Sequence, residues 1–387
     1  MWIKRRVLTR ILFLLVILVL AGVTVFGCVP TGARPRGWSG GAIADGALFF
    51  GSMDGEVVAL NTSDGGRLWE STLETSTSGG GFGCTPVSTV VAIYGTPAVA
   101  GGLVYISGYN GKIYAINSSS GALRWVYPRE GNLNPIVGGP VSALGNIYFG
   151  CADGKVYALD AETGDWKWEF QTGDKIWSTP AIDGETLYIG SFDKKLYALN
   201  AIDGSKKWET FEMEGAIASV PVVYNSTIYF GSLDRWVYAV NAADGSLRWK
   251  FRGENWFWAG AVVFNNIVYA PCLDGKVYAL NAESGDKVAE FNLGSPVSSS
   301  PVLVNSLIIV ATEEGRIFSI DTGMNQERLL ANVKELADED LTIYSPLFAS
   351  EGIVYAHAQT KKHGSLLSAL NAQTGVDLWR YPTPSSK

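Results

Sequence analysis

The chain has 387 residues, of which 47% are hydrophobic and 17% are charged, and its formal net charge at pH 7 is −7. This composition excludes a disordered chain. An acidic protein with no basic run is a poor ligand for nucleic acid, so no nucleic-acid partner is expected. The length exceeds that of an ordinary single-core domain unless the architecture is a barrel or a repeat.

The first 28 residues differ in character from the rest. Basic residues at positions 4, 5, 6 and 10 precede an uncharged, mostly apolar run over residues 11–29, which is the pattern of an export signal. The run contains Val25-Phe26-Gly27-Cys28, which resembles the lipobox of bacterial lipoproteins and predicts lipidation of Cys28 after cleavage. The alternative is an uncleaved membrane helix. Both interpretations predict an extracytoplasmic body tethered to a membrane, with residues 29–40 as a linker.

A motif of Asn or Asp, three residues, Gly, three residues and Trp recurs eight times after the linker. Two copies depart from it, with Ala289 and Leu329 in place of Trp and Asn325 in place of one Gly. The copies begin at Asn61, Asn117, Asp160, Asn200, Asn241, Asn281, Asp321 and Asn371. Eight copies with constant internal spacing predict a repeat architecture.

Each copy is predicted to form four short strands. In the fourth copy these cover residues 178–182, 187–191, 195–200 and 207–211. Asp-Gly pairs in sister copies predict tight hairpin turns between the second and third strands. The Asn or Asp of the motif can bond its own backbone, while its Gly takes the left-handed conformation. Asn325 replaces this Gly in one copy, and after Gly, Asn is among the residues that most readily adopt the left-handed conformation.

The third strand is apolar on both faces, as in Lys155–Asp160, so each sheet needs a neighbour on both sides. A closed ring meets this need, which predicts an all-β, eight-bladed β-propeller of four-stranded antiparallel blades over residues 41–381, with a C-terminal tail over 382–387. The residue two before the motif is small in every copy, and a bulky group of the next blade is expected to pack over it, with the motif Trp as the candidate. The tryptophans expected to hold blades together are Trp69, Trp125, Trp168, Trp208, Trp249 and Trp379.

No cluster of residues in the sequence indicates catalysis or metal binding. Cys151 and Cys272 occupy equivalent places three repeats apart, too distant for a disulfide, and are expected to be small buried side chains. Cys84 lies in an insertion and has no assigned pairing. His357 and His363 lack neighbouring ligands with metal-site spacing. No metal is therefore expected.

The segment LYIGS-x-D-x-x-LYALNA-x-x-G-x-x-x-W resembles the repeat of the pyrroloquinoline-quinone-type β-propellers, over about residues 40–381. That family includes quinone-dependent dehydrogenases, which hold the quinone between a tryptophan and a disulfide of adjacent cysteines beside a calcium ion. No two cysteines are adjacent in this chain, so no cofactor is expected. The pattern is closest to the lipoprotein propeller of the outer-membrane barrel-assembly machinery, which implies a scaffold that contacts its partner through the loops of one face.

The sequence and this resemblance together predict a monomeric, membrane-anchored lipoprotein propeller that binds a protein of the cell envelope and catalyses no reaction. Envelope or outer-membrane protein assembly is the role that the resemblance implies. Two alternatives stay open. One is a quinone-dependent dehydrogenase, and the other is a sensor that binds a small ligand in the central channel.

Irregular connectors point to one face as the binding face. The link from the motif Trp to the next first-strand Pro takes 12 residues after Trp168 but 28 after Trp69. Aromatic and basic residues outside the repeat plan are concentrated in these connectors, where Trp and Tyr suit partner recognition. The candidate partner-binding residues are Trp177, Trp256, Phe257, Trp258, Tyr94, Phe82, Lys361 and Lys362. The alternative for the aromatic residues is that they fill the mouth of the central channel themselves.

Overall fold

The computed structural model describes residues 38–52, 55–73, 76–77, 88–89, 91–360 and 364–382. Its strands form eight antiparallel sheets, or blades, each built from strands that follow one another in the chain. The first strands of successive blades contact each other, and the first strand of the last blade contacts that of the first. The ring is thus closed, and the predicted eight-bladed β-propeller is confirmed.

The first four blades comprise sixteen strands. Blade 1 contains β1 (Gly41–Ala44), β2 (Ala47–Gly51), β3 (Glu56–Asn61) and β4 (Arg67–Thr72). A separate two-stranded hairpin, β5 (Ser76–Thr77) and β6 (Ser88–Thr89), follows. Blade 2 contains β7 (Ala98–Ala100), β8 (Leu103–Gly108), β9 (Lys112–Asn117) and β10 (Leu123–Tyr127). Blade 3 contains β11 (Val141–Ala143), β12 (Asn146–Gly150), β13 (Lys155–Asp160) and β14 (Trp166–Gln171). Blade 4 contains β15 (Ala181–Asp183), β16 (Thr186–Gly190), β17 (Leu196–Asn200) and β18 (Lys206–Glu209).

The remaining blades follow the same plan until the last, which carries an extra strand. Blade 5 contains β19 (Val222–Tyr224), β20 (Thr227–Gly231), β21 (Trp236–Asn241) and β22 (Leu247–Arg252). Blade 6 contains β23 (Val262–Phe264), β24 (Ile267–Pro271), β25 (Lys276–Asn281) and β26 (Lys287–Asn292). Blade 7 contains β27 (Val302–Val304), β28 (Leu307–Ala311), β29 (Arg316–Asp321) and β30 (Gln326–Asn332), followed by helix α1 (Val333–Ala337). Blade 8 contains β31 (Leu341–Thr342), β32 (Phe348–Ser350), β33 (Ile353–Thr360), β34 (Gly364–Asn371) and β35 (Asp377–Tyr381).

The hydrophobic core is divided among the seams between blades. Each of eight buried clusters joins two neighbouring blades, and one of them unites Leu48 and Phe50 of blade 1 with Tyr355 and Leu367 of blade 8. The third strands are buried on both faces, as their apolar sequence predicts. Every blade therefore depends on both neighbours for its core.

The motif tryptophans cross the seams. Each indole Nε1 donates a hydrogen bond to the carbonyl oxygen of the residue that follows the motif Asn or Asp in the next blade. The six bonds are Trp69 to Ser118 (2.8 Å), Trp125 to Ala161 (3.1 Å), Trp168 to Ala201 (3.0 Å), Trp208 to Ala242 (3.1 Å), Trp249 to Ala282 (2.9 Å) and Trp379 to Thr62 (3.1 Å).

The small residue before the motif shares a buried cluster with bulky side chains of the next blade, as expected, but the tryptophan that lies beside it belongs to its own blade, not to the next. Ala158 on β13 lies between two aromatic residues of its own blade. It is paired with Trp168 on β14 and with Tyr148 on β12. Because Ala158 is small, the two rings meet over it with centroids 5.8 Å apart. The same indole covers Gly204 of the next blade, where an added Cβ would lie 2.6 Å from Trp168 Cε3.

A tyrosine strengthens four of the seams, a role that the sequence analysis missed. Its hydroxyl donates to the same carbonyl oxygen as the tryptophan of its blade. The four bonds are Tyr105 to Ala161 (3.1 Å), Tyr148 to Ala201 (2.9 Å), Tyr188 to Ala242 (3.3 Å) and Tyr229 to Ala282 (2.9 Å). One acceptor thus serves two donors from the preceding blade.

Blade 7 is irregular because its outer strand is paired in a different register. Ser319 pairs with Arg328, and Leu330 is bulged out of the pairing. Leu329, aligned with the motif Trp, is consequently 50% exposed, while Leu330 is buried. The Leu330 carbonyl packs on Gly375 of blade 8, at the place where other blades use an indole.

The motif turns have the predicted geometry. In all eight, the side-chain oxygen of the Asn or Asp accepts a hydrogen bond from the backbone N–H two residues on. Asn325 has a φ of 50°, so it adopts the left-handed conformation in place of Gly, as expected. It is the one non-Gly residue at this position, and it follows the blade whose tryptophan is replaced by Ala289. No indole is present at that seam to collide with its side chain.

Candidate functional site: an aromatic channel mouth

Equivalent residues of all eight blades line a cavity of 330 Å³ at the ring axis. They are the residues three positions before the first-strand Pro or its substitute, namely Trp38, Tyr94, Val137, Trp177, Ala218, Trp258, Ser298 and Tyr344. The first strand of blade 4 begins only at Ala181, later than the predicted residue 178, because the preceding residues turn along the channel instead. The cavity opens on the face formed by the turns between second and third strands and by the links between blades, here called the connector face.

Five of these eight positions are aromatic. Trp38 packs edge-on against Tyr94, with ring centroids 4.4 Å apart, and contacts Tyr344 at 5.8 Å. Trp177 meets Trp258 at 6.4 Å over the small Ala218 between their blades. Tyr94, Trp177 and Trp258 were predicted from the sequence, whereas Trp38 and Tyr344 were not. Their constant offset from the first strand was the signal that would have found them.

Two hydroxyl groups of the lining are hydrogen-bonded to backbone N–H groups of the ring. Thr179 Oγ1 accepts a hydrogen bond from Gly139 N at 2.8 Å, and Ser300 Oγ accepts one from Gly260 N at 3.0 Å. No Asp, Glu, Asn, Gln, Lys or Arg belongs to the lining. The cavity therefore offers aromatic faces and a few hydroxyl groups, and its lining has no charged or amide side chain.

Further rings extend the aromatic surface toward solvent. Phe192 packs edge-on against Trp177 at 4.7 Å, and Tyr109, 44% exposed, packs against Tyr94 at 5.2 Å. The ammonium of Lys175 lies 4.7 Å from the centroid of Trp177 and 4.5 Å from that of Phe192. A cation thus already rests on the faces of these rings.

In the connector Asn255–Trp258, some side chains are exposed on the surface and others are buried in the core. Trp256 is 46% exposed, and its role in partner binding stays a prediction. The expectation that Phe257 belongs to the same surface is wrong, because its side chain is 1% exposed and packs on Tyr278. Phe257 occupies the place of Ile176 and Ile217, which are buried at the equivalent point of their own connectors. Neighbouring side chains of the connector point in opposite directions, so the Phe257 ring points inward while Trp256 points outward.

Several residues named by the sequence analysis lie outside the described residues. These are Cys28, Phe82, Cys84, Lys361, Lys362 and His363. In blade 8, the extra strand β31 pairs with the extended end of β33, just before residues 361–363. Among the described residues, no helix is long and apolar enough to cross a membrane.

Reactive side chains are buried away from the cavity. Cys151 and Cys272 are buried and unpaired, as expected, and burial raises the pKa of each thiol to about 12. Neither is a thiolate at neutral pH. His357 is buried where blade 8 meets blade 1, and burial lowers its pKa to about 4. Within the described part of the chain, no three His, Cys, Asp or Glu residues converge to hold a metal ion.

A second cavity, of 440 Å³, lies at blade 7 and the links on either side of it. It is lined by charged residues, including Glu313, Glu314, Arg316 and Lys334. Arg316 pairs with Glu314 at 3.1 Å, and Lys334 pairs with Asp340 at 2.7 Å. Partial burial raises the pKa of Glu313. The charges of this cavity are thus mostly compensated from within the chain.

Sequence comparison assigns the chain to a family. A model of the family described as "Outer membrane protein assembly factor BamB" matches residues 31–169, 133–251 and 273–387. The chain belongs to this family. Curated BamB proteins of Salmonella typhimurium and Escherichia coli K12 are 32% and 33% identical to it over 90 and 84 residues. These matches span only 22% and 20% of the length of those relatives.

Solved structures share the fold at low sequence identity. BamB from Moraxella catarrhalis superposes with a TM-score of 0.67 at 19% identity, over 85% of this chain and 92% of its own. A computationally designed protein, Ika8, superposes with a TM-score of 0.69 at 14% identity, over 87% and 96%. A quinohemoprotein alcohol dehydrogenase from Comamonas testosteroni superposes with a TM-score of 0.63 at 14% sequence identity, over 84% of this chain and 71% of its own.

The residues at the channel mouth do not fit the quinone cofactor of such dehydrogenases. Pyrroloquinoline quinone carries carboxylates, which proteins hold with Arg, Lys or a metal ion. Calcium in turn requires oxygen ligands, chiefly carboxylates and amides. The lining of the 330 Å³ cavity contains neither cationic nor acidic nor amide side chains.

Proposed function

We propose that this BamB-family propeller is a non-catalytic scaffold that binds a protein partner during outer-membrane protein assembly. The observation that carries the proposal is the family match, which extends over residues 31–251 and 273–387 and so covers nearly the whole ring. In this proposal the protein is a monomer, exported and anchored to a membrane through lipidated Cys28. Residues 1–28 act as the signal, residues 29–40 as a linker and residues 41–381 as the propeller.

The connector face supplies the partner-binding surface. Three aromatic side chains there are unusually exposed, namely Trp256 (46%), Phe211 (48%) and Tyr109 (44%). Phe211 was missed by the sequence analysis because it was assigned to an outer strand, which instead ends at Glu209. Large aromatic rings at modest entropic cost are typical of the residues that dominate protein interfaces. Phe82, Lys361 and Lys362 remain candidates for the same surface.

Cross-linking in the cell envelope tests the proposal. A Trp256→Ala variant is compared with Trp166→Ala, because Trp166 is similarly exposed (54%) but lies on the outer strand β14. Recovery of envelope proteins with the chain should fall at least ~5-fold for Trp256→Ala and stay unchanged for Trp166→Ala. Equal recovery from both variants, at equal protein levels, would contradict a partner-binding role for the connector face.

The quinone-dependent dehydrogenase is the second candidate, favoured only by the shared fold with the Comamonas enzyme. Its test is an assay of dye reduction by primary alcohols after addition of pyrroloquinoline quinone and calcium. The scaffold proposal predicts a rate equal to that of the cofactor without protein. Turnover that depends on the protein would establish an enzyme.

A further inference from the structure

The channel mouth combines four features that together define a ligand class. It is a concave cavity of 330 Å³, within the size range of small-molecule sites. Its walls carry five aromatic side chains from five different blades, and no charged side chain. Two of its hydroxyl groups, those of Thr179 and Ser300, are bonded to backbone N–H groups, and one of its rings already holds an ammonium group at the rim. We propose that the channel mouth binds a quaternary ammonium group.

The arrangement of the rings suits a soft cation. The planes of Trp38 and Tyr94 are inclined at 71°, those of Trp38 and Tyr344 at 56°, and those of Trp177 and Trp258 at 69°. Inclined rings form the corners of a concave wall, so that a group at the axis meets several of them. The negative faces of aromatic rings attract cations, and Trp does so best.

Hydrogen-bonding capacity separates the quaternary ammonium from other ligands. A sugar or a primary ammonium loses hydrogen bonds to water on entry and needs replacements. The Thr179 and Ser300 hydroxyls already accept from backbone N–H groups. A trimethylated ammonium has no N–H to satisfy, so it enters such a cavity without that loss.

Electrostatics favours a cation over a neutral apolar group. The chain is acidic overall, with a net charge of −7, and Lys175 Nζ stands over Trp177 and Phe192 within cation–π distance. Lys175 is an internal competitor for the face of Trp177. Removing it takes away a like charge beside the site, so Lys175→Ala should bind the ligand more tightly.

Calorimetric titration of the full chain in maltoside micelles with choline tests the proposal. The matched control ligand is 3,3-dimethylbutan-1-ol, which has the shape of choline with carbon in place of the charged nitrogen. Choline should bind at least ~10-fold more tightly than this neutral isostere. Equal affinity of the two ligands, or no binding of choline at millimolar concentration, would overturn the proposal.

Variants locate the site and separate folding from binding. Trp258→Leu should weaken choline binding ~10-fold, whereas Trp258→Phe should retain part of it because a ring remains. Trp166→Leu, on the outer strand, should bind as the parent does. Thermal unfolding of each variant shows that the ring is intact. Unchanged affinity in folded Trp258→Leu and Trp177→Leu would place the ligand elsewhere and overturn the assignment.

The source of the ammonium group is decided by the surrounding lipid. Titrations are repeated in nanodiscs of phosphatidylglycerol with and without phosphatidylcholine. Loss of the choline signal only with phosphatidylcholine identifies a lipid headgroup, and an equal signal in both identifies a soluble ligand; either supports a quaternary ammonium site. This inference does not rest on the scaffold proposal, because partner recovery by cross-linking is measured separately.

Discussion

The indole Nε1 of Trp379 donates a hydrogen bond to the carbonyl oxygen of Thr62, 317 positions away in the chain. This bond joins blade 8 to blade 1, and it repeats the contact made at five other seams. Every blade is built from consecutive strands, so no strand is exchanged between the chain ends. The ring is thus closed by side-chain contacts of the kind that join its other blades.

Two tryptophans on strand β14 offer a test of the seam contact. Trp168 is 6% exposed and bonded to the next blade, whereas Trp166 is 54% exposed. Trp168→Ala should lower the free energy of unfolding by about 3–5 kcal/mol, because it removes a large buried ring. Trp166→Ala should change it by less than about 1 kcal/mol. Urea denaturation of both variants measures the difference, and similar losses would contradict the seam role.

The glycine beneath an indole is expected to be intolerant of a side chain. Gly204 has a φ of 74°, and its Cβ would lie 2.6 Å from Trp168 Cε3. Gly184 also has a positive φ, 55°, but nothing lies within 4 Å of its Cβ. Gly184→Ala should cost about 1 kcal/mol of unfolding free energy through backbone strain alone. Gly204→Ala should cost about 1–3 kcal/mol more, and equal values from chemical denaturation would refute overpacking at the seam.

His357 makes the closure between blades 8 and 1 sensitive to pH. Its Nδ1 donates to the Ser39 carbonyl at 2.8 Å, and its Nε2 accepts from Ser365 Oγ at 2.5 Å, so the buried ring is neutral. Burial lowers its pKa from 6.5 to about 4. Between those values the unfolded chain binds the additional proton, so stability falls as the pH decreases from about 6.5 to about 4.

The contribution of His357 over this range is about 3 kcal/mol. It is fully present above pH 6.5, and below pH 4 no further loss comes from this residue. Unfolding free energies of the parent and His357→Gln, measured from pH 4 to 8, should converge toward acid. Curves that stay parallel would show that His357 does not titrate as described.

Cys28 provides a test of the anchor. Cys28→Ala should abolish labelling of the protein by an alkyne fatty acid in cells, because the thiol is the predicted acylation site. Cys84→Ala, which changes a cysteine outside the signal, serves as the control and should label normally. Labelling that persists in Cys28→Ala would exclude the lipobox interpretation.

Much of the fold could be predicted from the sequence, because its determinants are local and repeated. The positive φ at Asn325 and the Asn61 side-chain bond to Ser63 N follow from turn chemistry that any single copy contains. The candidate site was predicted in part. Tyr94, Trp177 and Trp258 share an offset within the repeat, whereas the burial of Phe257 depends on Tyr278 of the next blade.

By itself the sequence determined the number of blades, the position of each turn and the spacing of the tryptophans. All of these are encoded within about forty residues and then repeated. Only the tertiary structure decided which surface each ring meets: Trp168 covers Gly204 of the next blade, and Leu330 replaces Leu329 at the seam between blades 7 and 8. The physical reason is that a side chain's direction depends on strand register and on the neighbouring blade, and a one-residue shift in pairing exchanges the inside for the outside.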